Sequence, residues 1–167
     1  MYSIKTITNT IKVKSGENIN NIIKLIKEKF EKKILCSHNV FIIDVLDINK
    51  NDLKNGIIDT ITASINYDFE MNVLIFEPII GNIIDSKVFD CNDLGIWLSP
   101  LHCEEYKDSI YIIIPVEFLN DYKYNKNGYY VFKNENLKKI VIGSVVKIKI
   151  LNRLIENNVI KIVGILQ

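Results

Sequence analysis

Arg153 is the single arginine among the 21 cationic residues of this 167-residue chain. That scarcity argues against a surface built on bidentate recognition of phosphates or bases, which needs a planar guanidinium that lysine lacks. Cysteine is scarce too: Cys36, Cys91 and Cys103 are odd in number and lack C-x-x-C spacing. This argues against a disulfide framework and fits a reducing compartment. Two histidines, His38 and His102, are the whole supply for a metal site or a His-based catalyst. C-x-H at Cys36 and His38, and H-C at His102 and Cys103, are not zinc-ligand spacings, so no metal is expected. No apolar run approaches the roughly 18 to 20 residues that cross a bilayer. Residues 1–14 alternate polar with apolar and lack the hydrophobic stretch of a signal peptide, so the expectation is a soluble, intracellular chain with no membrane partner. Also missing are a strand-turn-helix serine, a phosphate-cradling glycine loop and a carboxylate pair; neither catalysis nor a cofactor is expected.

What is present is globular composition, 48% apolar and 25% charged, in a length that suits one ordinary domain or two small ones. Pro78 decides between them. It ends a strand-like run at residues 73–76, because proline fixes its own φ and cannot donate to a ladder, and a new run starts at Gly81. The expected domains are residues 1–78 and 79–167. Halves of this size bury only about 60 to 65% of their chain surface, so an interface between them or with a partner is expected. The net charge of +1 hides a pattern: two lysines against eight acids in residues 79–121, then nine cations against two acids in residues 122–167. A barrel built from both would have a negative and a positive side, a field that steers an anionic ligand to one face. Ordinary solvated charge is the plain alternative, and the abundance of Lys, Asn and Ile also looks like AT-rich coding.

In the first half, residues 2–14 are an extended segment broken by Ser15 and Gly16. Asn18 is a suitable N-cap, and Ile19, Ile22, Ile23, Ile26, Phe30 and Ile34 recur at three- and four-residue steps, an amphipathic helix. Glu28 stands four residues before Lys32 in the favourable orientation. Residues 40–48 are a strand. Ile61, Ala63, Ile65 and Tyr67 then alternate with Thr60, Thr62, Ser64 and Asn66 as another, and residues 69–76 complete the set. The fold class predicted is α+β, a helix on one face of an antiparallel sheet.

In the second half, Ile83, Ile84 and Val88, a polar turn at residues 90–93, and a run from Ile96 to Leu98 make a hairpin. Gly81 and Gly95 each open a strand, as in a small barrel that turns its corners at glycine. Residues 110–114, 145–151 and 159–166 supply three more strands, the last two joined near Asn157-Asn158. Residues 120–136 form a polar excursion holding Tyr122, Tyr124, Tyr129, Tyr130 and an Asn127-Gly128 turn signal. Five strands and one excursion suit an OB-type barrel.

Four segments in order, FEPIIGNIIDSKV (76–88), DLGIW (93–97), IIPVEFL (113–119) and GSVVKIKI (143–150), resemble the stalk subunit of archaeal and eukaryotic multi-subunit RNA polymerases, the family of RNA polymerase II subunit seven and its archaeal counterpart. The resemblance implies an N-terminal domain that docks on the polymerase core and a C-terminal OB-type, ribosomal-protein-S1-like barrel that meets nascent single-stranded RNA. It also implies a small helical second stalk subunit as partner. A nucleus is implied for a cellular eukaryotic version, a virion or cytoplasmic viral factory for a viral one. The family's glycine-rich tip loop is absent, since no glycine lies between Ile57 and Ile80. The aligned positions fall near Ile61 and Ala63, and the nearest turn-rich stretch is residues 49–56, so the docking candidates are Asn51, Lys54, Gly56, Ile61 and Ala63. For RNA, an OB barrel uses aromatic platforms flanked by cations. Trp97, Tyr111, Lys147, Lys149 and Lys161 share one face if the register holds, and Arg153 in the last hairpin turn joins them. Core packing is the plain alternative for Trp97, and solvated alternation for the lysines. The competing functional reading is a free-standing OB-fold RNA-binding protein of translation or RNA decay; an enzyme is the residual one.

Overall fold

The computed structural model describes residues 1–133 and 139–167. The chain divides into two compact units, Tyr2–Glu77 and Pro78–Gln167, Met1 being grouped with the second.

The first unit runs β1 (Tyr2–Lys14), α1 (Ile19–Phe30), β2 (Lys33–Leu35), β3 (Val40–Ile48), β4 (Ile57–Asp59) and β5 (Ser64–Phe76). The strands form an antiparallel sheet in the order β1-β5-β3-β2, with β4 also paired to β5. Asn18 caps α1, its side-chain oxygen accepting from Asn21 N–H at 2.9 Å. One apolar cluster contains Ile22, Ile26 and Phe30 of the helix together with Ile7 and Ile11 of β1, Val40, Ile42 and Val45 of β3, and Phe69, Met71, Val73 and Ile75 of β5. Each such side chain contributes about 1.5 to 3 kcal/mol on burial.

Two local expectations are corrected here. The helix stops at Phe30, and Lys32, at φ +59°, turns the chain so that Ile34 falls in β2. Lys24–Glu28 (3.8 Å) and Lys27–Glu31 (3.4 Å) are i,i+4 ion pairs, and Lys32 lies beyond the helix. The alternating strand begins at Ser64 and not at Thr60. Residues 60–63 are a turn because the Asp59 carboxylate accepts from Ile61 N–H, Thr62 N–H and the Thr62 hydroxyl, at 3.1, 3.3 and 2.6 Å, an Asx-type closure that competes with a ladder.

The second unit begins with β6 (Ile83–Asn92), β7 (Gly95–Pro100) and β8 (Ile110–Pro115), continues through β9 (Tyr122–Asn125), β10 (Tyr129–Phe132) and β11 (Lys139–Ile140), and ends with β12 (Val145–Glu156) and β13 (Val159–Leu166). Five of these close a barrel in the order β12-β13-β8-β7-β6, while β11-β10-β9 form a separate small sheet. Only β8 and β13 run parallel within the barrel, the other four pairings being antiparallel. Counted along the chain, the barrel strands lie first, second, third, fifth, fourth, an order compatible with an OB-type barrel. Period-two alternation sends Val88, Ile96, Leu98, Ile110, Ile112, Ile114, Ile148, Ile150, Ile160 and Ile162 inward, all at most 1% exposed. The described residues are thus mixed α+β, mostly strand, with one α-helix and one closed five-stranded barrel.

Gly95 does what a corner glycine should: at φ +151° it lies so close to β8 that a Cβ would sit 2.3 Å from the Ile114 carbonyl oxygen. Gly81 does not open a strand. It lies in a turn at φ +90°, its N–H donating to Ile150 O at 2.8 Å. The hairpin turn of β6 and β7 is also tighter than expected, at residues 93–94, because β6 runs on to Asn92.

Candidate nucleic-acid interface

The outer wall of the barrel is set by register. On β8 and β13, Tyr111 and Lys161 are direct cross-strand partners, and Ile113 lies opposite Val163. Ile113 also pairs with Trp97 of β7, whose other neighbour is Asp90 of β6. Trp97 and Tyr111 are half-buried, as alternation requires of outward side chains between buried Ile96 and Leu98 or Ile110 and Ile112. One wall therefore carries Trp97, Tyr111 and Lys161 together.

Lys147 and Lys149 do not join them. They are exposed on β12, where they pair with Asp85 and Ile83 of β6, on the opposite side of β13 from Tyr111. The expected single face is thus two walls, because closure turns an edge-to-edge sequence of strands around an axis. Lys161 is also an ion-pair partner, with Nζ 3.9 Å from Glu156 Oε2.

Arg153 is the clearest correction. It lies within β12, opposite Ile162, and not in the hairpin turn, which Asn157 and Asn158 make at φ +50° and +59°. The register shifts between Ile150 and Asn152. One extra residue in a strand of period two swaps every later side chain to the other face, so exposure moves from Lys147, Lys149 and Leu151 to Asn152, Leu154 and Glu156. Arg153 consequently shares the side of buried Ile162, and its guanidinium donates to the Pro78 carbonyl. The bond ties the start of this unit to its fourth barrel strand, a structural role for the chain's only guanidinium.

The small sheet has two unlike faces. Tyr124 and Tyr130 are partners across β9 and β10, and Tyr130 pairs onward with Ile140 of β11. Tyr130 is fully buried, with its hydroxyl donating to Asn92 O at 2.7 Å. Burial pushes its ionisation up to about 12, and burial followed by the Asp90 charge pushes the neighbouring Cys91 thiol up to about 11. The opposite face carries Lys123, Val131 and Lys139 in one row across the three strands, with Asn125 opposite Tyr129 beside it. Lys139 Nζ lies 5.3 Å from the centre of the Tyr129 ring. A shallow depression of about 310 Å³ is lined by Lys123, Tyr124, Asn125, Val131, Phe132 and Lys133. The tyrosines were visible in the sequence, and the lysines interleaved with them were the unread signal. Residues 134–138, which include the end of the predicted polar excursion at 134–136, lie outside the described residues.

The docking candidates also divide. Residues 49–56 are held against β5: Leu53 is buried, Asp52 accepts from Glu70 N–H at 3.0 Å, and Asn51 accepts from Lys54 Nζ at 3.0 Å. A Cβ on Gly56 would lie 2.2 Å from an Ile65 methyl, so that glycine marks packing. Ile61 and Ala63 are at the tip of the β4–β5 hairpin, where Ile61 is 93% exposed and Ala63 sits at φ +51°. Ile57 and Ile58, 67% and 68% exposed on β4, extend that surface and were not among the expected residues. Lys12 Nζ meets Asp59 Oδ2 at 2.9 Å. The Thr62 hydroxyl and then this ammonium hold the Asp59 carboxyl well below its usual range.

Among the described residues no group of three or more His, Cys, Asp or Glu side chains is placed to hold a metal. Among the same residues no helix is long and apolar enough to cross a membrane. Compared with known families the chain matches none, and no curated protein matches it. Its chemistry has to be read from its own surfaces.

Proposed function

We propose that the chain is a non-catalytic stalk subunit of a multi-subunit DNA-directed RNA polymerase. In this reading the Tyr2–Glu77 unit docks at the base of the polymerase clamp, with the helix on its antiparallel sheet as scaffold. The second unit is an OB-type, S1-like barrel that contacts nascent single-stranded RNA, and a small helical second stalk subunit is the direct partner. The subunit supports initiation by being held in place and does no chemistry itself. It acts in a nucleus, or in a virion or viral factory where the polymerase is viral.

The observation that carries the reading is the β4–β5 hairpin, with Ile57, Ile58 and Ile61 at 67%, 68% and 93% exposure. Three large aliphatic side chains exposed on one short hairpin cost solvation unless a partner covers them, and exposed apolar surface of this kind marks an interaction site. Its place agrees with the segment that the resemblance assigns to docking. The barrel order and the Trp97, Tyr111 and Lys161 wall support the RNA contact.

Affinity purification of the tagged full chain under mild salt, followed by mass spectrometry, tests it. The expected result is recovery of the large polymerase subunits and a small helical protein. Recovery of RNA with no polymerase subunit sinks the proposal and leaves the free-standing OB protein of translation or RNA decay.

A further inference from the structure

Two aromatic and cationic surfaces exist on the second unit, and they differ in what else they carry. On the barrel wall, Asp90 stands directly opposite Trp97, and Lys161 already meets Glu156 at 3.9 Å. An anionic backbone running along that wall meets carboxylates. The outer face of the small sheet is different. From Tyr122 to Lys133 the sequence holds Lys123, Lys126 and Lys133 and no acid. Lys123 and Lys139 flank Val131 in one row, their Cα atoms about 10 Å apart from two strand spacings. Tyr129 follows two residues before Val131 on the same face, with Lys139 Nζ 5.3 Å from its ring. Asp121, at the edge of β9, is the nearest described acid in sequence, and its carbonyl accepts from Lys133 N–H at 2.8 Å. The opposite face is anchored by buried Tyr130, whose hydroxyl donates to Asn92 O.

We propose that the outer face of the β9-β10-β11 sheet is a landing surface for single-stranded nucleic acid, with a base on Tyr129 and the backbone running over Lys123 and Lys139. Charge selects the ligand: lysines with no carboxylate partner among the described residues, set in one row beside a half-buried ring, suit a flexible polyanion whose flat units stack. A base on Tyr129 competes with or joins the Lys139 ammonium on the same ring. Rigid duplex hides its base faces and gains only the charge contribution. The inference rests on the RNA-contact part of the reading above and moves its principal surface from the barrel wall to the small sheet.

The test is fluorescence anisotropy of the full chain in low salt with labelled single strands of about twelve nucleotides, RNA and DNA of one sequence, and a duplex of the same length. The K123E/K139E chain, altered only at exposed positions, is expected to bind either single strand at least about tenfold more weakly, with a shallower log-log salt slope by about 0.7 for each lysine removed. Tyr129→Ala weakens binding about tenfold through lost stacking. W97A/K161E, on the barrel wall, is expected to lose less than either of these. Equal affinity for RNA and DNA supports the inference, as does preference for RNA. Duplex bound as tightly as single strand overturns it. Loss confined to W97A/K161E overturns it while leaving an RNA-contacting barrel intact, and absence of binding by the unaltered chain removes both. Recovery of polymerase subunits is a separate readout that none of these variants is expected to alter.

Discussion

Two short hairpins, one in each unit, are built alike and surfaced differently. β4–β5 and β9–β10 both have turns closed by a side-chain oxygen at the end of the first strand: Asp59 accepts from Ile61 N–H at 3.1 Å, and Asn125 accepts from Asn127 N–H at 3.0 Å. The first then shows Ile57, Ile58 and Ile61 to solvent. The second buries Tyr130 on one face and shows lysines on the other. The turn chemistry is shared, so it cannot specify a partner; the side chains beside it do. Apolar atoms left in water favour burial against a protein surface. Lysines with no carboxylate partner among the described residues, beside an aromatic ring, favour a polyanion.

The largest effect is expected where the second hairpin is anchored. Tyr130→Ala removes a fully buried ring and the 2.7 Å bond to Asn92 O, costing about 3 to 5 kcal/mol by the usual aromatic truncation range. Chemical denaturation of the full chain measures it. A cost under about 1 kcal/mol would mean that β9–β10 is not held by its inner face, and that side of the comparison would fail. The first hairpin is next. I57D/I61D changes only exposed side chains and is expected to leave folding unaltered, while association with polymerase weakens by about 2 kcal/mol or more, roughly thirtyfold. Quantitative pull-down reads this, with single-strand binding as the control that should not move. Equal loss of both would erase the distinction between the surfaces.

How much of this could be seen in the chain depends on the range of the interactions involved. Runs of β-branched residues between turn signals announced the barrel strands, and Asn18 announced the start of α1, because both signals are local. The turn at residues 60–63 was hidden by its own apolar residues: Ile61 and Ala63 continue a period of two in the letters, and only the Asp59 cap breaks it in space. Arg153 was misplaced because a bulge at one residue inverts a strand's faces and leaves no mark in composition. Lys147 and Lys149 were grouped with Trp97 because a list of strands is flat and a closed barrel is not. Lys123 and Lys139 could not be paired by reading, since their row exists only through β10.

A smaller effect, again on the second hairpin, is its response to alkali. Tyr130 and Cys91 ionise at about 12 and about 11 when folded, against ordinary values of 10.0 and 9.0. The folded state therefore binds more protons than the unfolded state across that interval, and stability falls with rising pH. The contribution is fully present below about pH 9 and is lost progressively up to about pH 12, where both groups are ionised in either state. Denaturation midpoints through this window should decline in the native chain and less steeply in Tyr130→Phe, which keeps the ring while losing the titrating hydroxyl. Tyr130 and Cys91 both lie in the second unit, so amide exchange at the β4–β5 hairpin should show no step that Tyr130→Phe removes.

The smallest effect belongs to the first hairpin and has the opposite pH sense. The Asp59 carboxyl is held low by the Thr62 hydroxyl and the Lys12 ammonium, so the folded tip favours the ionised form. Its contribution is present above the ordinary carboxylate value of 3.8 and is lost as pH falls below it. Both partners are solvent-accessible, with side chains 50% and 26% exposed for Lys12 and Asp59, so water and salt screen the pair. The expected result is faster amide exchange at Ile61 and Thr62 in acid, with the global unfolding midpoint almost unmoved by the same carboxyl. Asp59→Asn keeps a carbonyl oxygen for the two N–H donors but removes the charge, and should make tip exchange independent of acid. A tip that loosens in acid equally in Asp59→Asn would show that Asp59 does not hold the turn, and that the isoleucines are presented by β4–β5 pairing alone.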